Sequence, residues 1–263
     1  VFVRPKLSSS PFPTIPDADL PAEPVRPMVK SETVDTTPWG VTGIVGGYKN
    51  ELTLEVEDFA FIGRTAYVGG WFEFVQKGPN PAPADKISQP YLAAFNMDTG
   101  EWIPSFRPVL NGPVWDLLAT PDGKLIVGGE FTSVNGAAST SGIAALDASG
   151  NLVAGWRASV TNPNNTTPLG PQVKALDYQD GFVYLGGRFT RIEGGSTLGT
   201  LVTVGRAARV RLSDGRPDGT WKPNFNGTIV ELDASSAGDR VNAVGYFDTV
   251  NGVASARFAA VTT

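Results

Sequence analysis

The chain has 263 residues, of which 18% are charged, a net charge of −5, and neither cysteine nor histidine. Those two absences remove disulfides, thiolate chemistry, Ser-His-Asp nucleophiles, and zinc or haem held by histidine, while leaving the redox compartment open. The acidic balance without any Lys/Arg cluster speaks against a nucleic-acid partner. No apolar run reaches the ~20 residues that cross a bilayer as a helix, so no membrane span is expected.

The first 38 residues differ from the rest. Pro5, Pro11, Pro13, Pro16, Pro21, Pro24, Pro27 and Pro38 punctuate a stretch with no helical or strand periodicity. Proline fixes φ and removes donors, so residues 1–38 read as an extended arm or linker. A chain opening on Val1 with no signal peptide reads as a processed secreted protein or simply as a fragment, and the expected setting is extracellular, cell-surface or periplasmic.

Beyond residue 53 the chain repeats one phrase. Val68-Gly69-Gly70-Trp71-Phe72 returns as Val127-Gly128-Gly129-Glu130-Phe131 and as Leu185-Gly186-Gly187-Arg188-Phe189. A worn copy, Ala243-Val244-Gly245-Tyr246-Phe247, follows, and the four phenylalanines are spaced 59, 58 and 58 residues apart. Self-similarity at a fixed period decides architecture, because each unit must bury its apolar face on its neighbours.

Each unit reads as short strands parted by turn signals such as Pro121-Asp122-Gly123 and Asn135-Gly136. In the second copy the strands are 114–119, 124–131, 142–147 and 151–156; in the third they are 173–178, 182–189, 206–212 and 219–221. The first copy gives 54–59, 65–72, 91–96 and 101–103, and the fourth gives 229–234, 240–247 and 256–261. No helical stripe is sustained anywhere. The expected fold is therefore all-β: a β-propeller of four-stranded antiparallel blades, at least four of them, spanning about 53–106, 114–156, 173–225 and 228–263. The last blade lacks its outer strand unless residues 32–39 supply it; otherwise the chain is part of a larger propeller.

The glycine pairs should let an inner strand approach its neighbour and mark a bulge. Phe72, Phe131, Phe189 and Phe247, with Trp102, Trp156 and Trp221, recur once per unit and read as inter-blade packing. Leu125 to Trp156 is the best copy; with its Val-Gly-Gly-x-Phe-Thr-x-Val-Asn-Gly phrase, its Ala-Ala-Leu-Asp and its Trp, it resembles the delta-60 type β-propeller repeats of bacterial surface and secreted proteins. Similar units occur in the fungal cortical polarity-marker family, and the glycine pair is also like that of kelch repeats. The resemblance covers residues 53–263 and implies a non-catalytic extracellular propeller, often one module of a larger protein. It brings no catalytic residues.

In such a blade, links between strands two and three share one face with links between blades. The insertions gather there: Gln76–Pro90, Gly195–Gly205 and Arg157–Gln172, against short turns on the opposite face. Clustered insertions mark a binding side. Lys86, Asn164, Leu198, Leu201 and Val202 are the interaction candidates within these loops. Leu198, Leu201, Val202 and Val204 form either an exposed apolar contact or an extra hairpin that buries itself.

Enzymatic and ligand readings are weaker. Glu51, Glu55, Glu57 and Asp58 gather carboxylates near the first inner strand, as glycosidase chemistry requires, but a solvated strand face also explains them. Asp218-Gly219-Thr220-Trp221 lacks the residue that the sialidase Asp-box places between Asp and Gly. Ordinary turn chemistry accounts for the turn Asp and Asn residues without calcium, although calcium in the turns is left open. The expectation is no catalytic, metal or cofactor-binding residue, a partner that is another protein or a larger assembly, and glycan binding or cleavage as the alternative.

Overall fold

The computed structural model describes residues 37–44, 46, 56–163, 170–197 and 199–263. The first repeat holds β1 (Trp39–Thr42), β2 (Val56–Ile62), β3 (Thr65–Gly70), β4 (Phe74–Lys77), β5 (Lys86–Ser88) and β6 (Leu92–Asn96). The second is plainer, with β7 (Val114–Ala119), β8 (Leu125–Gly129) and β9 (Ile143–Leu146). The third has β10 (Ala158–Thr161), β11 (Gln172–Gln179), β12 (Phe182–Arg188), β13 (Arg191–Gly194), β14 (Thr200–Thr203) and β15 (Ala207–Arg211). The fourth has β16 (Ile229–Ala234), β17 (Arg240–Gly245), β18 (Thr249–Val250), β19 (Val253–Ala254) and β20 (Phe258–Thr262).

Each repeat makes one antiparallel main sheet: β2-β3-β6, β7-β8-β9, β11-β12-β15 and β16-β17-β20. The first strands stand side by side, β2 against β7, β7 against β11 and β11 against β16. Three of the buried clusters straddle two successive sheets. The repeat therefore builds its core between blades, as the period requires.

The glycine pair explains how the blades approach. A Cβ on Gly69 would lie 2.5 Å from Val114 Cγ1, and one on Gly186 would lie 2.5 Å from Ile229 Cγ2. Gly128 meets Val173 and Leu176 in the same way. The first glycine is thus a seat for the next blade's leading aliphatic residues. The second glycine acts within its own blade, where a Cβ on Gly129, Gly187 or Gly245 would strike the carbonyl oxygen of Pro113, Gln172 or Thr228. Opposite the pair, the first strand carries one extra residue in every sheet, at Glu57, Trp115, Lys174 and Val230. That is the bulge expected from the glycines.

The phenylalanines Phe72, Phe131, Phe189 and Phe247 are each 0% exposed. Full burial of such a ring is worth about 2–3 kcal/mol apiece. A polar ladder runs beside this core. The Leu117, Leu176 and Ala234 amides donate to side-chain oxygens of Asp58, Asp116 and Asp177 at 2.8, 2.5 and 2.6 Å, tying each first strand to the one before it.

The outer strand is shorter than the sequence suggests. It survives as single bridges, Phe95–Trp102, Leu146–Leu152 and Val210–Pro217, because Pro104, Gly155 and Gly219 turn the chain away at once. The same alignment corrects the tryptophans. Trp102 occupies the bridge position of Leu152 and Pro217, and Phe106 takes the place of Trp156 and Trp221 four residues on. Phe106 meets Tyr67 edge-on at 5.0 Å as Trp221 meets Tyr184 at 5.1 Å, and the Trp221 indole also donates to Thr262 O in the fourth sheet. Trp156 is buried in the cluster shared by the second and third sheets. Trp102 instead stacks at 5.4 Å on Trp39 within the first repeat.

The described end of the 32–39 segment does not pair with the fourth sheet. Trp39 opens β1, which pairs with β4 of the first repeat, and residues 32–36 lie outside the described residues. The loops between second and third strands are also more ordered than the sequence suggests. A second small sheet stands there: β1-β4-β5, β10-β13-β14 and the hairpin β18-β19.

At the two ends of the stack the apolar faces meet water. Phe59 and Phe61 on the first sheet are 56% and 55% exposed, and Val244 on the fourth is 40% exposed. Val244 stands where Gly69, Gly128 and Gly186 stand in the other sheets.

Two measurements test this account. Gly128→Val should lower stability to urea by about 2–4 kcal/mol, because the next blade's Val173 and Leu176 must move, whereas Val244→Gly should cost less than about 1 kcal/mol. The second concerns Asp116, whose pKa burial raises from 3.8 to about 8, helped by a hydrogen bond and the charge of Asp58. Between those values the folded chain keeps a proton that the unfolded chain releases, so stability falls as pH rises through that window. The slope should be at most about 1.4 kcal/mol per pH unit, and Asp116→Asn should flatten it.

Candidate functional site

Three positions of every repeat gather at one end of the blades: the bulged residue at the start of the first strand, the residue after the second glycine, and the residue before the third strand. The second glycine joins the last two, since Gly70, Gly129, Gly187 and Gly245 donate to the carbonyls of Tyr91, Gly142, Arg206 and Arg257 at 3.0–3.1 Å. All four acceptors have left-handed backbone, with φ of 71°, 72°, 70° and 68°. Only Gly142 takes that conformation freely; for Tyr91, Arg206 and Arg257 it costs about 1–2 kcal/mol each.

The side chains at these positions are unlike the rest of the repeat. The bulges carry Glu57, Trp115, Lys174 and Val230; the residues after the glycines are Trp71, Glu130, Arg188 and Tyr246. With Arg206 and Arg257 they make, Val230 apart, a rim of aromatic and charged groups on an aliphatic scaffold, while Tyr91 is buried in the core. Trp71 meets Trp115 edge-on at 5.8 Å, and the Lys174 ammonium lies 3.4 Å from the centre of the Trp115 ring. Burial lowers the Lys174 pKa against the opposing pull of Glu130 and Glu57, and Arg188 lowers it further. Burial raises the Glu57 pKa, and the same Lys174 charge restrains it.

Around this centre, Gln172 donates to Glu130 Oε2 at 2.7 Å and Arg188 Nη2 to Gly170 O at 2.6 Å. Burial lowers the Arg206 pKa, as does the neighbouring Arg188 charge. Among the described residues, two buried donors on the rim, Trp115 Nε1 and Arg206 Nη1, have no acceptor.

The opposite end of the blades is chemically closed. Asn96 accepts from the Asp98 and Thr99 amides, Asp147 from Ser149 and Asn151, and Asp214 from Arg216. Asp218 is held likewise, by the Thr220 amide and by an ion pair with Arg209. These turns use their own side chains. Among the described residues no group of three or more carboxylates is arranged to hold a metal ion, and no helix is long and apolar enough to cross a membrane.

Of the residues singled out from the sequence, Glu57 is one of the rim's bulges, and the described loop candidates lie on the small hairpin sheets. Lys86 is exposed on β5, its ammonium 4.3 Å from the Phe74 ring centre. Leu201 and Val202 belong to the hairpin β13-β14, with Val202 opposite Ile192 and packed on the core while Leu201 is 57% exposed. The stretch therefore folds back as a hairpin, and Val204 is buried beneath it. Asn164, Leu198, Glu51 and Glu55 lie outside the described residues. The rim itself was available to sequence reasoning: aligning the four glycine phrases and reading only the columns that differ picks out Trp71, Glu130, Arg188 and Tyr246.

Residues 120–152 match the family described as a domain of unknown function (DUF5122) beta-propeller. That stretch covers β8 and β9 and the outer bridge at Leu152. No curated protein matches the chain. The matched repeat and the three like sheets around it make the described part of this chain a β-propeller.

Proposed function

We propose that this chain is a non-catalytic, extracytoplasmic binding module that holds another protein, or a larger assembly, against the rim and its neighbouring hairpins, with residues 1–38 as an arm along the partner. The single observation that carries this reading is the division of labour between the two ends of the blades. One end satisfies its own polar groups in turns; the other sets aromatic and charged side chains on strained or bulged backbone. Strain of that kind persists where a side chain must be presented.

The carboxylates near the inner strands support a structural role. Asp58 and Asp116 accept backbone amides of the following blade, and Glu57 stands by Lys174. Trp71 and Trp115 give the glycan alternative its one point of support, since sugars stack on such rings. Lys174 already covers one face of Trp115, which favours the protein partner. The extracytoplasmic setting rests on the resemblance of the repeat phrase, and the role of the arm rests on its eight prolines.

Site-specific photocrosslinking in the native host tests the proposal. A photoreactive residue at Tyr246 or Leu201 should yield adducts with one protein, while the same group at Thr99 or Ser149 on the opposite end should not. Equal adducts from both ends would overturn it. Removing residues 1–30 should reduce adduct yield, and an unchanged yield would take the arm out of the proposal. Hydrolysis of a glycan panel that disappears in Glu57→Ala would replace the binding role with a catalytic one.

A further inference from the structure

The rim's own carboxylates are engaged elsewhere, Glu130 by Gln172 and Glu57 beside Lys174. Buried donors are normally matched by acceptors, and an unmatched one costs about 1–3 kcal/mol. Here Trp115 Nε1 and Arg206 Nη1 are buried with no acceptor among the described residues. Arg206 is bound into the structure through its backbone, whose carbonyl accepts the Gly187 amide at 3.0 Å. Its side chain is therefore presented from a fixed, left-handed position at φ 70°. The second repeat solves the same backbone problem with Gly142 at φ 72°, so nothing in the scaffold demands an arginine there. Two further cations of the third repeat adjoin it: Arg188 follows Gly187, whose amide holds the Arg206 carbonyl, and Lys174 is the bulged residue next to Val173, the partner of Gly187 across the strands.

Building on the reading of the rim as a protein-binding surface, we infer that the third repeat forms an oxyanion subsite in which Arg206, flanked by Arg188 and Lys174, receives a carboxylate of an acidic peptide segment. A guanidinium offers a planar fork of donors that matches a carboxylate, and the match is strengthened where water is partly excluded. The aromatic part of the rim adjoins these cations: Trp71 meets Trp115 edge-on, and Lys174 covers one face of the Trp115 ring. That leaves little platform for a pyranose, and selects a peptide over an acidic polysaccharide as the source of the carboxylate.

The test uses the full chain and fluorescein-labelled hexaglutamate, with hexaglutamine and oligogalacturonate as comparison probes, read by anisotropy at low ionic strength. Hexaglutamate should bind saturably, hexaglutamine should not, and Arg206→Gly should weaken hexaglutamate by about tenfold or more. Thermal unfolding guards against a trivial loss: because Gly142 serves the same backbone position, Arg206→Gly should melt at or above the parent temperature. Arg206→Lys should fall between, keeping the charge and losing the fork. No hexaglutamate binding at about 1 mM, a range where even weak contacts register, would overturn the subsite. So would equal binding of hexaglutamine, or a parent-like affinity in Arg206→Gly. Oligogalacturonate bound as tightly as hexaglutamate would overturn the assignment to a peptide. Each of these failures concerns the acidic ligand alone and leaves the photocrosslinking result standing.

Discussion

The contact on which this molecule depends is the meeting of a missing Cβ with a branched side chain. Gly69, Gly128 and Gly186 each leave room that Val114, Val173 and Ile229 of the following sheet enter. Because the seat is in the second strand and the plug is in the next unit's first strand, no unit is complete alone. Everything else is arranged around that exchange. The second glycine brings the first strand's backbone close, the bulge absorbs the extra residue this creates, and the buried phenylalanine that follows seals the end of the sheet. Aspartates then fasten neighbouring first strands where aliphatic side chains cannot.

Most of this was legible because it repeats. Period, blade order, the glycine bulge and the buried phenylalanines follow from four copies of one phrase, and a physical demand met four times leaves a trace in letters. What does not repeat is harder to read. The outer strand looks continuous because 151–156 has apolar residues at strand spacing, but Gly155 at φ 77° ends it after one bridge. Residue type groups Trp102 with Trp156 and Trp221, whereas spacing from the bridge assigns that place to Phe106. Hairpins such as β13-β14 are hidden by glycines and threonines that read as loop. Pairing between distant residues decides such segments, and local propensity records it poorly.

The rim is easily passed over in a sequence reading, for an instructive reason. Insertions draw attention to loop residues such as Lys86 and Leu201, while the centre of the same face lies inside the phrase itself, in its single variable letter. A repeat that holds its glycines and its phenylalanine fixed can place any side chain between them. Trp71, Glu130, Arg188 and Tyr246 are therefore where the scaffold is free to differ, and hence where recognition can be written without disturbing packing.

Val244 carries this logic to the last sheet. It fills the hollow that three glycines leave empty, and it faces solvent. Any surface brought against that side must stand off by the breadth of an isopropyl group, so it cannot reproduce the tight seams within the stack. That flank is thus distinguished from the internal seams by sterics alone.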